Sequence, residues 1–298
     1  MTTEYYDVIR TYLYRAFEIQ FHPLGKLMDG LVDVFRAAYI GIGAHPRLLG
    51  HAVAEVNSYV RRIYLTIRIL FPALPENGGP LQIRSEKYVS SDSDEESDGV
   101  PTENKEKEVV TAGSLLHPVL LPKIYPPLFD LYALYNEKMD DLYWERIQKL
   151  NKQGDVALMA YLGVEQKFWL LDESFFTKKS SSLSNIRDHC YISGIEKLQQ
   201  ISTAFSPKEK LQVIRDSFTE ITECVQNTLG EDHVWCMDEL FPIFQYVVVR
   251  SQIRHLGAEV HFIEDLMERY LENGELGIMF TTLYACYYQI QNEKIPSH

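Results

Sequence analysis

Trp235-Cys236-Met237-Asp238-Glu239-Leu240-Phe241-Pro242-Ile243-Phe244-Gln245-Tyr246-Val247-Val248-Val249 is the stretch on which the fold turns. It reads as a helix with an acidic, proline-marked entrance and an almost wholly apolar body. Proline is tolerated in a helix near its start, where the missing N–H costs little. The helix therefore begins within a few residues of Asp238. From Phe241 to Val249 only Gln245 and the Tyr246 hydroxyl are polar, too little for a helix with one face in water. The pattern predicts a central helix with Asp238 at its mouth, where the chain returns to the surface.

Working outward, the sequence downstream of this stretch stays helical. One helix runs through Val260, Ile263, Leu266 and Met267, and a last one from about Gly277 to Gln291 carries Phe280, Leu283, Tyr284 and Tyr287. Upstream, Ser206-Pro207-Lys208-Glu209 places Ser at the N-cap, Pro at the first helical position and Glu at the third. That is a capping box, and the helix it opens carries Leu211, Ile214, Phe218, Ile221 and Val225. Residues 172–188 are rich in Ser and Lys and read as a surface loop, while 155–169 reads as a helix or a pair of helices.

Leu115 to Pro127 is punctuated by Pro118, Pro122, Pro126 and Pro127, which predicts a short helix or an apolar strap. A long helix from about Leu128 to Asn151 follows, with Leu131, Leu134, Tyr135, Met139, Leu142, Tyr143, Ile147 and Leu150 as its buried stripe. Nearer the start, apolar residues three and four apart mark helices over Thr3–Phe17, Leu24–Ala38 and Pro46–Leu70. Their short breaks predict an antiparallel bundle. Its polar face holds Arg61, Arg62 and Arg68, either as solvated charge or as a dock for an acidic partner. No alternating strand of any length occurs, so the predicted fold class is all-α.

Periodicity disappears from Pro75 to Gly113. The acidic run Ser90–Asp98 predicts disorder. Ser91 and Ser93 stand just before acids, which makes them candidate phosphorylation sites within what otherwise reads as plain linker. Between Ser85 and Glu108 nine acids and three lysines account for -6 of the chain's net -13. That balance argues against nucleic acid or an anionic membrane as the main partner. The four cysteines, Cys190, Cys224, Cys236 and Cys286, lack paired spacing and read as buried free thiols. With no run of eighteen apolar residues, no transmembrane segment is expected.

Motifs for covalent or metal chemistry are missing from the sequence. There is no Gly-rich phosphate loop, no His-x-x-x-His or Cys-x-x-Cys spacing, and no Gly-x-Ser-x-Gly elbow. Asp140-Asp141 and Glu264-Asp265 fall on predicted surface faces and read as solvated charge. No cofactor and no metal are expected.

Asp238-Glu239-Leu240-Phe241-Pro242, then Leu256 fourteen residues after the proline, then Gly274-Glu275-x-Gly277-x-x-Phe280-Thr281-Thr282-Leu283 together resemble the vacuolar-sorting-nine (Vps-nine) domain. The match covers about Trp144 to Gln291. Tyr125-Pro126-Pro127-Leu128-Phe129, Arg146-x-x-x-Leu150-Asn151-Lys152-Gln153, Phe168-Trp169, His22-Pro23-Leu24-Gly25-Lys26-Leu27 and Gly41-Ile42-Gly43-Ala44 further resemble the C-terminal region of the alsin family. The resemblance implies an N-terminal helical bundle packed on a layered multi-helix exchange domain. The expected divisions are 1–74 bundle, 75–113 acidic disordered linker, 114–144 helical connector and 145–298 exchange domain.

Members of the Vps-nine family catalyse guanine-nucleotide exchange on Rab GTPases of the Rab-five subfamily, without covalent chemistry of their own. The resemblance implies an apolar groove between two helices that takes the GTPase switch regions, and an acid that reaches the partner's phosphate-binding lysine. Asp238 matches that acid, and Pro242, Tyr246, Leu256, Ile278, Met279 and Thr281 match the groove. Read by residue type alone, Asp238 is a helix cap, Pro242 a helix-start residue and Leu256 core. Several members have tyrosine where this chain has Ile278, which implies modest exchange. The expected partner is a Rab-five-type GTPase, on a cytoplasmic protein recruited to early endosomes, with oligomerisation open. The alternative is an all-α GTPase-binding or scaffold module without exchange activity.

Overall fold

The computed structural model describes residues 1–41, 44–81, 109–170, 191–230 and 233–292. Ser91, Ser93, Cys190, the acidic run 90–98 and the Ser/Lys-rich stretch 172–188 lie outside the described residues. The fold is all-α: among the described residues there are eleven α-helices and one pair of two-residue strands. The chain divides into two compact units, one of residues 1–36 and 54–123, the other of 37–53 and 124–298.

The first unit contains α1 (Thr3–Glu18) and most of α2 (Pro23–Tyr39) and α3 (Leu49–Leu70). Thr2 accepts from the Tyr5 N–H and caps the start of α1. Ile9, Leu13, Met28, Phe35, Val56 and Ile67 are buried at the predicted spacing. Tyr5, Tyr12, Leu27 and Val34 share the three-and-four spacing but are exposed; the apolar stripe is wider than the buried seam. Gly25 is required by close approach, since a Cβ there would run into the Ile19 carbonyl oxygen. Arg68, one of the three arginines of the polar face, donates to Leu74 O at 3.2 Å and so pins the turn after α3.

Two sequence expectations change here. The stretch 75–113 is not structureless at its described ends, because Gly79–Pro80 pairs antiparallel with Val109–Val110. Then α4 runs unbroken from Ala112 to Asn151, through the prolines that predicted a stop. Pro118, Pro122 and Pro126 sit four residues apart on the exposed side of α4. The carbonyls they leave without an intrahelical donor, at i−4, fall on that same side of the helix, where solvent can satisfy them. The opposite face, Leu116, Leu120, Ile124, Leu128 and Leu131, is fully buried. Tertiary burial outweighs the local penalty.

The second unit is layered around α8 (Met237–Ser251). Helices α5 (Asp155–Leu162), α6 (Ile192–Gln199) and α11 (Glu275–Asn292) pack against it. Behind them α7 (Pro207–Leu229) packs on α6, α9 (Leu256–Leu266) and α11, and α10 (Arg269–Glu272) leads into α11. Every residue from Ile243 to Ser251 is buried, as the apolar run requires. The capping box is complete, with Ser206 Oγ accepting from Glu209 N and the Glu209 carboxylate accepting from Ser206 N.

Half of the predicted buried stripe of α4 faces outward: Leu134, Tyr135, Met139 and Leu142 are 38–60% exposed. The core side is taken instead by Leu131, Tyr132, Tyr143, Ile147 and Leu150, joined by the polar residues Asn136 and Asp140. Asp140, expected in solvent, is buried because it caps a distant helix. Its carboxylate accepts from Gly257 N at 2.8 Å, Ala258 N at 3.3 Å and the Tyr287 hydroxyl at 3.2 Å. Gly257 leaves room for it, since a Cβ would collide with Tyr287 Oη and Asp140 Oδ1. Of the described cysteines only Cys286 is fully buried; Cys236, expected inside, is exposed at the start of α8.

Candidate functional site

The site is built at the entrance of α8. Cys236 is its N-cap and makes no side-chain capping bond. Asp238 is the second helical residue and Pro242 the sixth, and proline at that depth leaves the Asp238 carbonyl without its intrahelical donor. The first turn is thus weakly held by its own sequence. Its carboxylates lie where the helix dipole favours negative charge.

The two acids of this turn have different environments. Asp238 is exposed, and no hydrogen bond or ion pair engages its side chain among the described residues. Glu239 is held: Lys167 Nζ lies 2.6 Å from one carboxylate oxygen and His233 Nε2 3.2 Å from the other. The Lys167 ammonium, with help from the Cys236 thiol and backbone, holds the Glu239 carboxyl down at about 2. The same hydrogen bond raises Lys167 above the ordinary lysine range. Phe168 stacks on Trp235 with centroids 5.4 Å apart, and His233 meets Trp235 edge-on at 4.8 Å. Lys167 is not singled out by the sequence, because it stands 72 residues from Glu239, and His233 lies in a non-helical stretch whose path the sequence pattern does not show.

The other expected site residues divide into surface and core. On α11, Ile278 is 58% exposed, Thr281 is exposed and Met279 is partly buried against the core. The Thr281 hydroxyl donates to Gly277 O at 2.8 Å, leaving its oxygen lone pairs outward. Gly277 is fixed by the α10–α11 corner, where a Cβ would strike the Leu271 and Glu272 carbonyls. Pro242, Leu240 and Phe241 are partly buried at the entrance of α8, which packs on α11.

Tyr246 and Leu256 correct the expected groove. Both are buried, Tyr246 at 2% exposure and Leu256 at 0%, so neither offers surface to a partner. Tyr246 lies under the Arg250 guanidinium, 5.5 Å from its ring centroid, and burial pushes its hydroxyl far up. Arg250 in turn pairs with Asp155 and donates to Asn151 Oδ1 at 3.0 Å and Gln153 O at 2.9 Å. These residues fix α8 to α4 and α5 from inside. Leu256 is core because α9 turns its first residues toward Asp140.

No group of three or more His, Cys, Asp or Glu gathers as a metal site among the described residues. No described helix is long and apolar enough to cross a membrane. At the entrance of α8 the exposed Asp238 carboxylate is followed in the same helix by the partly buried Leu240, Phe241 and Pro242, a combination that suits capture of a cation flanked by apolar groups.

Comparison with known proteins finds two domain matches and several relatives. Residues 193–295 match the Vacuolar sorting protein 9 (VPS9) domain, and residues 1–91 match the Alsin, helical array domain. Alsin of Homo sapiens is 50% identical across 99% of this chain, which spans 18% of that protein's length. ALS2 C-terminal-like protein of Bos taurus is 35% identical across 98% of the chain and 29% of its own length. Alsin homolog of Drosophila melanogaster is 28% identical across 97% of the chain and 18% of its own length.

Proposed function

The chain carries an alsin-type helical array at residues 1–91 and a VPS9 domain at residues 193–295, and from that premise we propose that it is a guanine-nucleotide exchange factor for endosomal Rab GTPases of the Rab-five subfamily. The observation that carries the reading is the unequal fate of the two acids at the α8 entrance. Glu239 is engaged by Lys167 and His233, and Asp238 alone stays exposed.

In this reading Asp238 takes over the phosphate-binding lysine of the GTPase that otherwise holds GDP. A charge-assisted bond of about 1.5–3 kcal/mol supports roughly ten- to hundredfold in release rate. The remainder comes from apolar contact of Ile278 and Met279, with Leu240, Phe241 and Pro242, against the switch regions. Thr281 offers an acceptor beside them. Ile278 supplies no hydroxyl, so the exchange is modest. The protein acts without cofactor or covalent step, in the cytoplasm and at early endosomes.

Release of a fluorescent GDP analogue from a panel of Rab GTPases tests the proposal. Asp238→Ala is expected to slow release ten- to hundredfold (roughly, by the charge-assisted bond above) while circular dichroism stays unchanged. Saturable binding of the GTPase with no faster release by the wild-type chain would favour a binding scaffold instead.

A further inference from the structure

The first turn of α8 carries the proposed catalytic carboxylate, yet its own sequence holds it poorly. Cys236 provides no side-chain cap, and Pro242 removes the bond that would close onto the Asp238 carbonyl. A turn with those two defects frays unless something outside the helix restrains it. Within the turn, the Glu239 carboxylate accepts from the Cys236 thiol and backbone; from outside the helix that carboxylate is held by the short helical turn Gln166–Phe168, with His233 Nε2 3.2 Å from its other oxygen. Lys167 reaches Glu239 at 2.6 Å, packs 4.6 Å over the Phe168 ring, and is braced by Glu165 at 3.2 Å. Phe168 is fully buried and stacks on Trp235, two residues before α8 begins.

We propose that Lys167 is a positioning residue for nucleotide exchange, acting through Glu239 to hold the first turn of α8 and hence the direction of the Asp238 carboxylate. The inference rests on the exchange reading above and assigns Lys167 no contact with the GTPase. Its consequence is a split between rate and affinity. The Lys167 ammonium is engaged by Glu239 and Glu165, so it is not offered to the partner and its loss leaves partner binding in place. The acid is then mispositioned, and loss of reach by about an ångström is enough to cost a large factor in rate.

The experiment uses the full chain as wild type, Lys167→Met and Lys167→Arg. Two readouts are taken: fluorescent-GDP release from a Rab-five-type GTPase over a range of exchange-factor concentration, and amide hydrogen exchange of residues 237–241. Lys167→Met is expected to lower the maximal release rate about tenfold, keep the half-saturating concentration within about twofold, and speed amide exchange in that turn. Lys167→Arg, which keeps the ion pair, is expected to restore both readouts. The inference is overturned if Lys167→Met releases nucleotide at the wild-type rate, if its loss appears only as weaker half-saturation, or if the turn's amides exchange no faster. A wild-type chain that releases no nucleotide from any GTPase overturns the exchange reading and this role with it, whatever the amide data show.

Discussion

Lys210 and Glu259 meet with 0% and 1% of their side chains exposed, whereas Lys167 and Glu239 of the same unit meet with 45% and 14% exposed. The buried pair sits at the start of α7 in an aromatic cage, with Lys210 Nζ about 5.1–5.7 Å from the ring centroids of Tyr125, Phe129 and Phe262. Lys210 also donates to the Tyr125 hydroxyl at 2.9 Å and to Ile201 O at 2.8 Å. Burial pushes Glu259 up and Lys210 down, each opposed by the other's charge. The surface pair shows the reverse: its shifts come from the hydrogen bond between the partners.

The difference teaches where each pair acts. Two desolvated charges recover their hydration only by meeting each other and the surrounding donors and acceptors. Leaving either of them unpaired therefore weighs on the stability of the whole unit. The surface pair is screened by water and contributes little to global stability. What it controls is local, the order of one exposed turn.

The contrast is broken most severely by removing one buried partner. Glu259→Ala strands the Lys210 charge and is expected to cost about 3–5 kcal/mol, measured by urea unfolding. The double variant Lys210→Met/Glu259→Leu should recover most of that loss, because no unpaired charge remains. Next in size, Ser206→Ala removes the local half of the capping box and should cost about 1 kcal/mol; the same assay reads it.

A sharper form of the comparison is the pH dependence of the surface pair. Glu239 is held at about 2, below the roughly 4.3 of an unfolded glutamate. Its contribution is fully present above the unfolded value and is lost as pH falls through about 2. The difference in urea midpoint between wild type and Glu239→Gln should be constant above about pH 5 and shrink as the pH is lowered toward 2.

How much of this was legible in advance differs from helix to helix. The start of α7 was read residue by residue, since Ser206, Pro207 and Glu209 act within one turn. The body of α8 was equally plain, because Ile243 to Val249 is apolar but for Gln245 and the Tyr246 hydroxyl, and all of it is buried. At α4 the reading failed twice. Four prolines predicted a break that burial of the opposite face prevents, and Leu134, Tyr135, Met139 and Leu142 look like core but are exposed. At the candidate site Asp238 and Ile278 are exposed, while Tyr246 and Leu256, which the resemblance assigns to the groove and the residue pattern to the interior, are buried.

The amino-acid order by itself determined the all-α class, the capping box that opens α7 and the exposed acid at the mouth of a buried helix, because those signals act over three or four neighbouring residues. Only the tertiary structure decided which polar groups are structural. Asp140 caps a helix 117 residues away, Lys210 finds Glu259 across 49 residues, and Lys167 finds Glu239 across 72. A charge carries no record of its partner in its own neighbourhood, since the energy that fixes it arises only when distant helices close around it.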